Sequence, residues 1–455
     1  MSTELQHPDS LHQAVQAAME RWSVPGITVG ILRDGQIETF GYGVASLETA
    51  YPIRPDSLLQ IGSISKVFTA TLIMRLVEAG KLDLDTPVIT YLPELRLADA
   101  TAQQTITLRH LLAHTSGLEG DRFTDYGIGD DALAKCVAEF HTLRQYTAPG
   151  ELWSYCNSGF YLAGRVVEKV LGTTFEAAMK EWVFDPLGLD RAFFFAHEAI
   201  VYPVSVGHTE VEPGSSQQQV ARLYPLPRCV NAAGGIISNV ENLLKFARFH
   251  LGDGTVDGTP VLSRASLEQM QQPQTAAGNF AEAYGIGWAL STVAGVRVVS
   301  HGGSTNGFQA QLALVPERQF AIAILTNSDR GAAAHRDIQR WALAHYLGLK
   351  EADPEPISLP EEALARFAGT YKQQHGHTTI TVVDGKLRAE TVVRSVLTGE
   401  ERTMPPIDMA PIGEREFIVV DGQYKGMRVD FIPAATGDKP RFLRFGGRLG
   451  DYVEQ

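Results

Sequence analysis

Ser63 and Lys66 stand three residues apart in the run Ser63-Ile64-Ser65-Lys66, at the head of a long apolar segment. On a helix, positions i and i+3 share one face, so the amine can lie against the hydroxyl. A serine hydroxyl is a weak nucleophile and needs a base within hydrogen-bond reach. A lysine one turn away is one way to supply it. The segment that follows, Val67 to Ala79, is apolar nearly all round and stops at Gly80, as a helix buried inside a domain would. Burial there lowers the pKa of the amine, so that part of it is neutral, and the first helical turn brings positive backbone dipoles to Ser63. The plain alternative is a capping serine beside a solvent-facing lysine. Partners elsewhere in the chain must decide.

Two further segments could supply them. In Pro149-Gly150-Glu151-Leu152-Trp153-Ser154-Tyr155-Cys156-Asn157, a tyrosine and an asparagine sit two residues apart on a turn. The Tyr155 phenol can take and return a proton, and the Asn157 amide can hold a substrate carbonyl and Lys66 together. In Ser300-His301-Gly302-Gly303-Ser304, Gly302 and Gly303 would let a substrate backbone approach a strand edge closely. A backbone amide there, with that of Ser63, could form an oxyanion hole, and His301 could donate to the substrate or to Tyr155. Taken singly, the second segment reads as a surface turn and the third as a glycine turn. His110 and His114 have i, i+4 spacing without a third ligand, and His375-Gly376-His377 reads as a loop pair. No metal and no cofactor are expected.

These groups need elements to hold them. Leu11, Val15, Ala18, Met19 and Trp22 form a helical stripe opened by Asp9 or Ser10. Strands are expected at 27–32 and 37–44 around the turn Arg33-Asp34-Gly35-Gln36, and again at 296–299, 308–314 and 320–325, before a helix at 333–346. Strands from both ends around a helical middle imply an α+β domain whose antiparallel sheet is completed late. Residues 351–360, with three prolines and three acids, read as a stiff linker. Beyond a short segment at 361–367, strands at 378–383, 387–391, 416–420, 427–432 and 441–445 imply a small antiparallel barrel or sandwich. The expected domains are therefore 1–350, a linker at 351–360, and 361–455.

Composition narrows the function. The chain has 455 residues, 44 % hydrophobic and 20 % charged, and 39 basic against 52 acidic residues give a net charge of −13. That balance disfavours nucleic acid and anionic membranes as partners. No run of eighteen apolar residues exists to span a membrane, and residues 1–9 lack a secretory profile, so a cytoplasmic protein is expected unless a leader has been removed. Cys136, Cys156 and Cys229 are odd in number and far apart, and form neither a disulfide framework nor a zinc or redox motif. Cys156 reads as a small filler.

The three segments in this order, S-x-x-K, Y-x-N and a basic residue followed by x-Gly on a strand, resemble the serine hydrolases related to class C β-lactamases and penicillin-binding proteins. The likeness runs over about residues 10–350 and takes in Leu111 to Leu118, the Pro149-Gly150 lead and Ala232-Ala233-Gly234-Gly235-Ile236. It implies Ser63 as the acylated nucleophile, Lys66 and Tyr155 as its base pair, and Asn157, His301, Gly302 and Gly303 as binding residues. Relatives that recognise penicillin place a lysine where His301 stands. A neutral histidine suits a substrate carboxylate less, which turns the expectation toward the family's esterases and D-aminopeptidases. The expected reaction is cleavage of a small carboxylic ester or a D-amino-acid-containing peptide. The alternative is a β-lactamase, or a penicillin-binding-type sensor or scaffold that acylates slowly without useful turnover. The C-terminal region, opening on Phe367-Ala368-Gly369-Thr370-Tyr371, resembles the lipocalin-like barrels of some relatives, where the added domain covers the cleft or mediates oligomers. The expected partners are a small-molecule or short-peptide substrate and, on that resemblance, further copies of the chain in a homo-oligomer.

Overall fold

In the computed structural model, which describes residues 10–394 and 399–453, strands from both ends of a long stretch of chain meet in one antiparallel sheet. They are β1 (Gly26–Arg33), β2 (Gln36–Gly43), β3 (Ala283–Tyr284), β4 (Ala289–Val293), β5 (Val296–Thr305), β6 (Phe308–Val315) and β7 (Phe320–Thr326), in the order β2-β1-β7-β6-β5-β4-β3. The β1–β2 turn has Asp34 at φ +52° and Gly35 at φ +73°, the left-handed pair that tight hairpins favour. β1 pairs with β7 from Ile27 opposite Thr326 to Leu32 opposite Ala321, so the N-terminal strand is enclosed by the last one. Both are buried along nearly their whole length, which accounts for their near-continuous apolar sequences.

Helices cover the two faces. α1 (Leu11–Trp22) opens on Ser10, whose hydroxyl accepts from the Gln13 amide; Asp9, the other expected cap, lies outside the described residues. Its apolar stripe packs with α5 (Gly331–Leu347) on one face, tied by Trp22 Nε1 donating to Asp337 Oδ2 at 2.7 Å. The other face carries a larger core built on α2 (Ser65–Glu78), α3 (Asn157–Leu171) and α4 (Val240–Leu251). Within it Phe68 of α2 stacks on Phe246 of α4 at 3.8 Å between ring centroids. β3 and β4, short and flanked by loops, carried no readable strand pattern in the sequence. Residues 351–360 contain no helix or strand, and Arg340 of α5 holds Glu351 at 2.8 Å and Asp353 at 2.5 Å.

The C-terminal strands are β8 (Gly369–Gln373), β9 (Gly376–Val383), β10 (Lys386–Arg394), β11 (Ile407–Pro411), β12 (Glu416–Val419), β13 (Arg428–Pro433), β14 (Pro440–Phe445) and β15 (Arg448–Val453). They run β9-β8-β15-β14-β13-β12-β11-β10, and β9 pairs back to β10, closing an eight-stranded antiparallel barrel; residues 401–403 add a short strand outside β10. Closure selects the barrel over the sandwich and removes free edges. Phe367, Tyr371, Phe417 and Phe431 fill its interior with mostly edge-to-face rings, so the lumen is a packed core.

Candidate active site

Ser63 lies in a tight turn, Gly62–Ile64, that runs directly into α2. Lys66, one turn on, is fully buried, with Nζ 3.0 Å from Ser63 Oγ and 2.7 Å from the carbonyl oxygen of Ala233. Burial drives the Lys66 amine well below its ordinary pKa, and Arg448 adds to this against the opposing pull of Asp121. The Ala232–Ile236 segment fixes this helix start. Ala232 O accepts from Thr69 Oγ1 at 2.7 Å, and the Ile236 amide donates to Ser65 Oγ at 3.1 Å.

Tyr155 is buried beside this pair, with its ring centroid 4.9 Å from Lys66 Nζ. Burial raises its phenol pKa, only partly offset by a hydrogen bond with Ser63 and by Arg448. The same desolvation therefore favours a neutral amine and a protonated phenol. Asn157 is the first residue of α3 rather than part of a free turn, and Cys156 does more than fill space: its Sγ caps α3 by accepting from the Gly159 amide at 3.2 Å. Asn157 Nδ2 donates to Asp121 Oδ1 at 2.6 Å. The Leu111–Leu118 landmark backs Tyr155. The Ser154 amide donates to His114 O at 2.9 Å, the Cys156 amide donates to His114 Nδ1 at 3.0 Å, and the His114 ring lies 4.4 Å from that of Tyr155.

His301, Gly302 and Gly303 lie on β5 just past its pairing with β4, which ends at Ser300. The two-residue turn after Thr305 puts Thr305 opposite Phe308. Alternation of the ladder then bonds His301, Gly303 and Thr305 to β6 and turns the peptide groups of Gly302 and Ser304 toward the open edge. A Cβ on Gly62 would meet the Ser304 nitrogen at 2.6 Å, and one on Gly303 would meet the Ser63 nitrogen at 3.0 Å. The two backbone amides suited to an oxyanion are thus neighbours. The His301 side chain faces Lys66 and Tyr155, and burial, with Lys66, pulls its pKa down to about 3. Its Nδ1 is 2.6 Å from Gly302 O, an acceptor only, so Nδ1 carries the proton and the unpartnered Nε2 is an acceptor. This reverses the donor role expected of His301 from sequence.

The open cleft above these groups measures about 770 Å³, a size that holds a short peptide or a comparable ligand. Phe123, Leu226 and Val230 give it an apolar side, while Gln309, Gln311 and Gln339 line a polar one. Three contributors were invisible in the sequence: Asp121, Gly447 and Arg448. Arg448 comes from β15 of the barrel and grips Asp121 with both Nε and Nη2, its guanidinium 5.0 Å from the Tyr155 ring centroid. The glycine pair Gly446-Gly447 ahead of it marks a turn, but nothing in sequence points that turn at residue 121. His110 forms the capping box of a short helix with Thr107, and His375 donates from Nε2 to Asp121 O at 2.6 Å. Among the described residues no cluster of side chains is arranged to hold a metal ion, and no helix is long and apolar enough to cross a membrane.

The β-lactamase family model matches residues 11–346. Penicillin-binding protein 4 of Amycolatopsis lactamdurans is 35 % identical over 365 residues, 78 % of this chain and 94 % of that one. Among solved structures, SurE superposes with a TM-score of 0.75 at 24 % identity over 98 % of both chains, and has also been solved with D-Leu. The octameric penicillin-binding protein homologue from Pyrococcus abyssi superposes at 0.67 with 25 % identity, over 97 % of this chain and 98 % of that one. Both cover the barrel as well as the sheet.

Proposed function

The chain belongs to the β-lactamase family of serine hydrolases, and from that premise we propose that it cleaves an ester or amide bond through an acyl-enzyme on Ser63. One observation carries the reading: a fully buried lysine amine 3.0 Å from the serine hydroxyl. With Lys66 neutral, one N–H serves Ala233 O and the lone pair accepts the Ser63 proton as Oγ attacks the carbonyl carbon. The amides of Ser63 and Ser304 face the oxygen that gains charge. Tyr155, kept protonated by burial, donates to the leaving group and recovers its proton from Lys66. This gives the base role to Lys66 and the relay to Tyr155, a sharper division than a shared base. Water then attacks the acyl-enzyme with Lys66 again as base.

The substrate class that fits is a small carboxylic ester or a peptide bearing a D-residue. The open β5 edge suits a peptide backbone, the neutral His301 does not call for a carboxylate, and SurE, which shares this fold, was solved with D-Leu. Assembly into a homo-oligomer, as in the octameric Pyrococcus abyssi homologue, belongs to the same reading. The test is turnover of a D-alanine anilide against a short-chain nitrophenyl ester, with Ser63→Ala as control. D-selective anilide cleavage that vanishes in the variant is the peptidase outcome, and ester turnover alone is the esterase outcome. A single stoichiometric burst identifies the slow-acylating sensor. Full activity in Ser63→Ala removes the mechanism.

A further inference from the structure

Every polar atom of Asp121 is engaged, and most of its partners come from the barrel. Oδ1 accepts from Asn157 Nδ2 at 2.6 Å and from Arg448 Nη2 at 3.0 Å, and Oδ2 accepts from Arg448 Nε. Its carbonyl accepts from His375 Nε2 at 2.6 Å, and its amide donates to Gln374 Oε1 at 2.7 Å. The barrel also takes hold of the Tyr155 segment at alternate residues. Arg444 Nη1 donates to Trp153 O at 3.1 Å, the Tyr155 amide donates to Gly447 O at 2.9 Å, and Asn157 is reached through Asp121. Burial opposes the charge on Asp121, but Arg448 and the Asn157 hydrogen bond outweigh it and keep the carboxylate ionised; Arg448 is held charged by the same pair.

We propose that Asp121 and Arg448 are positioning residues for the hydrolysis at Ser63: their ion pair carries the barrel's hold onto Asn157 and Tyr155, so the docked barrel is part of the machinery rather than a cover over it. The inference rests on the Ser63 reading above. Other ion pairs also bridge the barrel to the rest of the chain, notably Arg144 with Asp451 at 2.5 Å and Arg441 with Glu151 at 2.6 Å. Those lie on the exposed rim, where such pairs contribute little. Holding the barrel in place does not require an arginine against the catalytic tyrosine. Fixing the tyrosine and asparagine does.

The pair also gives a readout that structural support alone would not move. The groups facing Lys66 are Tyr155 and Cys156, His114, His301, Asp121 and Arg448. Arg448 disfavours a charged Lys66 and Asp121 favours one. Removing the first cation should therefore raise the acid limb of the kcat/KM profile, and removing the carboxylate charge should lower it.

The experiment compares Asp121→Asn, Arg448→Met and Arg448→Lys with Arg441→Met, a rim variant, in the full chain. It reads nitrophenyl ester turnover against pH and the melting temperature. The expected result is a loss of about 10- to 100-fold in kcat/KM for Asp121→Asn and Arg448→Met. A variant combining Asp121→Asn with Arg448→Met should be no worse than the poorer single one, Arg448→Lys should recover part of the loss, and the acid limbs of the two single variants should move in opposite directions. Activities and profiles matching those of Arg441→Met overturn the proposal, as do limbs that move the same way. If Arg448→Met does not fold, Asp121→Asn, nearly identical in shape to the native residue, decides alone. Ser63→Ala reports separately: its retained activity would remove the hydrolase reading, whereas its loss beside unaffected Asp121 and Arg448 variants would remove only the positioning role.

Discussion

The two halves of the cleft are held in different ways. Ser63 and Lys66 are fixed from within, by a turn that leads into a buried helix and by carbonyls of the Ala232–Ala233 segment packed on it. Tyr155 and Asn157 are backed from within by His114 and the start of α3, and are also gripped from outside, by Arg444, Gly447 and, through Asp121, Arg448. Ser63 and Lys66 are thus as rigid as the core beneath them, while the placing of Tyr155 and Asn157 depends in part on how the barrel is docked. Under the proposed mechanism, a poorly docked barrel would leave Ser63 and Lys66 intact and still slow the reaction.

Substitutions can break or sharpen that contrast. The largest effect is expected from Lys66→Met, which should lower kcat/KM by about 10²- to 10⁴-fold, the usual range for losing a positioned base. The melting temperature should stay level or rise, because the substitution also removes a buried amine. The sign follows from linkage. The unfolded chain binds a proton on Lys66 that the folded chain resists, so wild-type stability rises with pH between the lowered and the ordinary pKa, and the variant lacks that contribution. Melting curves at several pH values check it. Gly303→Ala comes next. Its Cβ would meet Ile61 O at 2.0 Å and the Ser63 nitrogen at 3.0 Å, pushing the β5 edge away from the Gly62–Ile64 turn. Overpacking of this kind costs about 1–3 kcal/mol, and loss of turnover should exceed what the fall in melting temperature explains. Arg444→Met touches the outer half. It leaves Asp430, 13 % exposed, without its partner and frees Trp153 O, so denaturant unfolding should show a loss of about 3–5 kcal/mol. Its activity loss should be smaller than that of Arg448→Met, since Arg444 lies one step further from the reacting atoms. The smallest effect belongs to Arg388→Met in the exposed Arg388–Asp408 pair of the barrel, where neither melting temperature nor turnover should change appreciably.

What could be read from sequence divides along the same line. Ser63, Lys66, Tyr155, Asn157 and His301 belong to short motifs whose residue types name their chemistry; the structure lines one cleft with four of them and buries Lys66 behind Ser63. The sheet was legible where period and turn chemistry agree, as at Asp34-Gly35. β3 was missed because two residues show no period, and β4 because Ala289-Leu290-Ser291-Thr292-Val293 does not alternate apolar and polar residues. The clamp was illegible for another reason. Arg448 and Asp121 are ordinary charged residues that meet only because a barrel docks on a loop far earlier in the chain, and no local pattern encodes a docking angle. His375, which reads as an idle loop residue, acquires its role by the same encounter. Likewise the role of His301 depends on which ring nitrogen is free, and Nδ1 is the one that meets the Gly302 carbonyl, a local contact that residue type does not announce.

The enclosure of β1 between β2 and β7 has a consequence for how the chain is made. Ile27, paired with Tyr42 in the hairpin, finds its second partner only when Thr326 has been synthesised, and at ribosomal speed that is a delay of tens of seconds, on the order of 15–60 s. Until then the β1–β2 hairpin is a two-stranded ribbon, marginal in water by itself, with the apolar edge of Gly26–Leu32 unpaired. The nascent chain therefore carries an apolar strand with one edge open until β7 emerges, the kind of edge that invites mispairing with other chains.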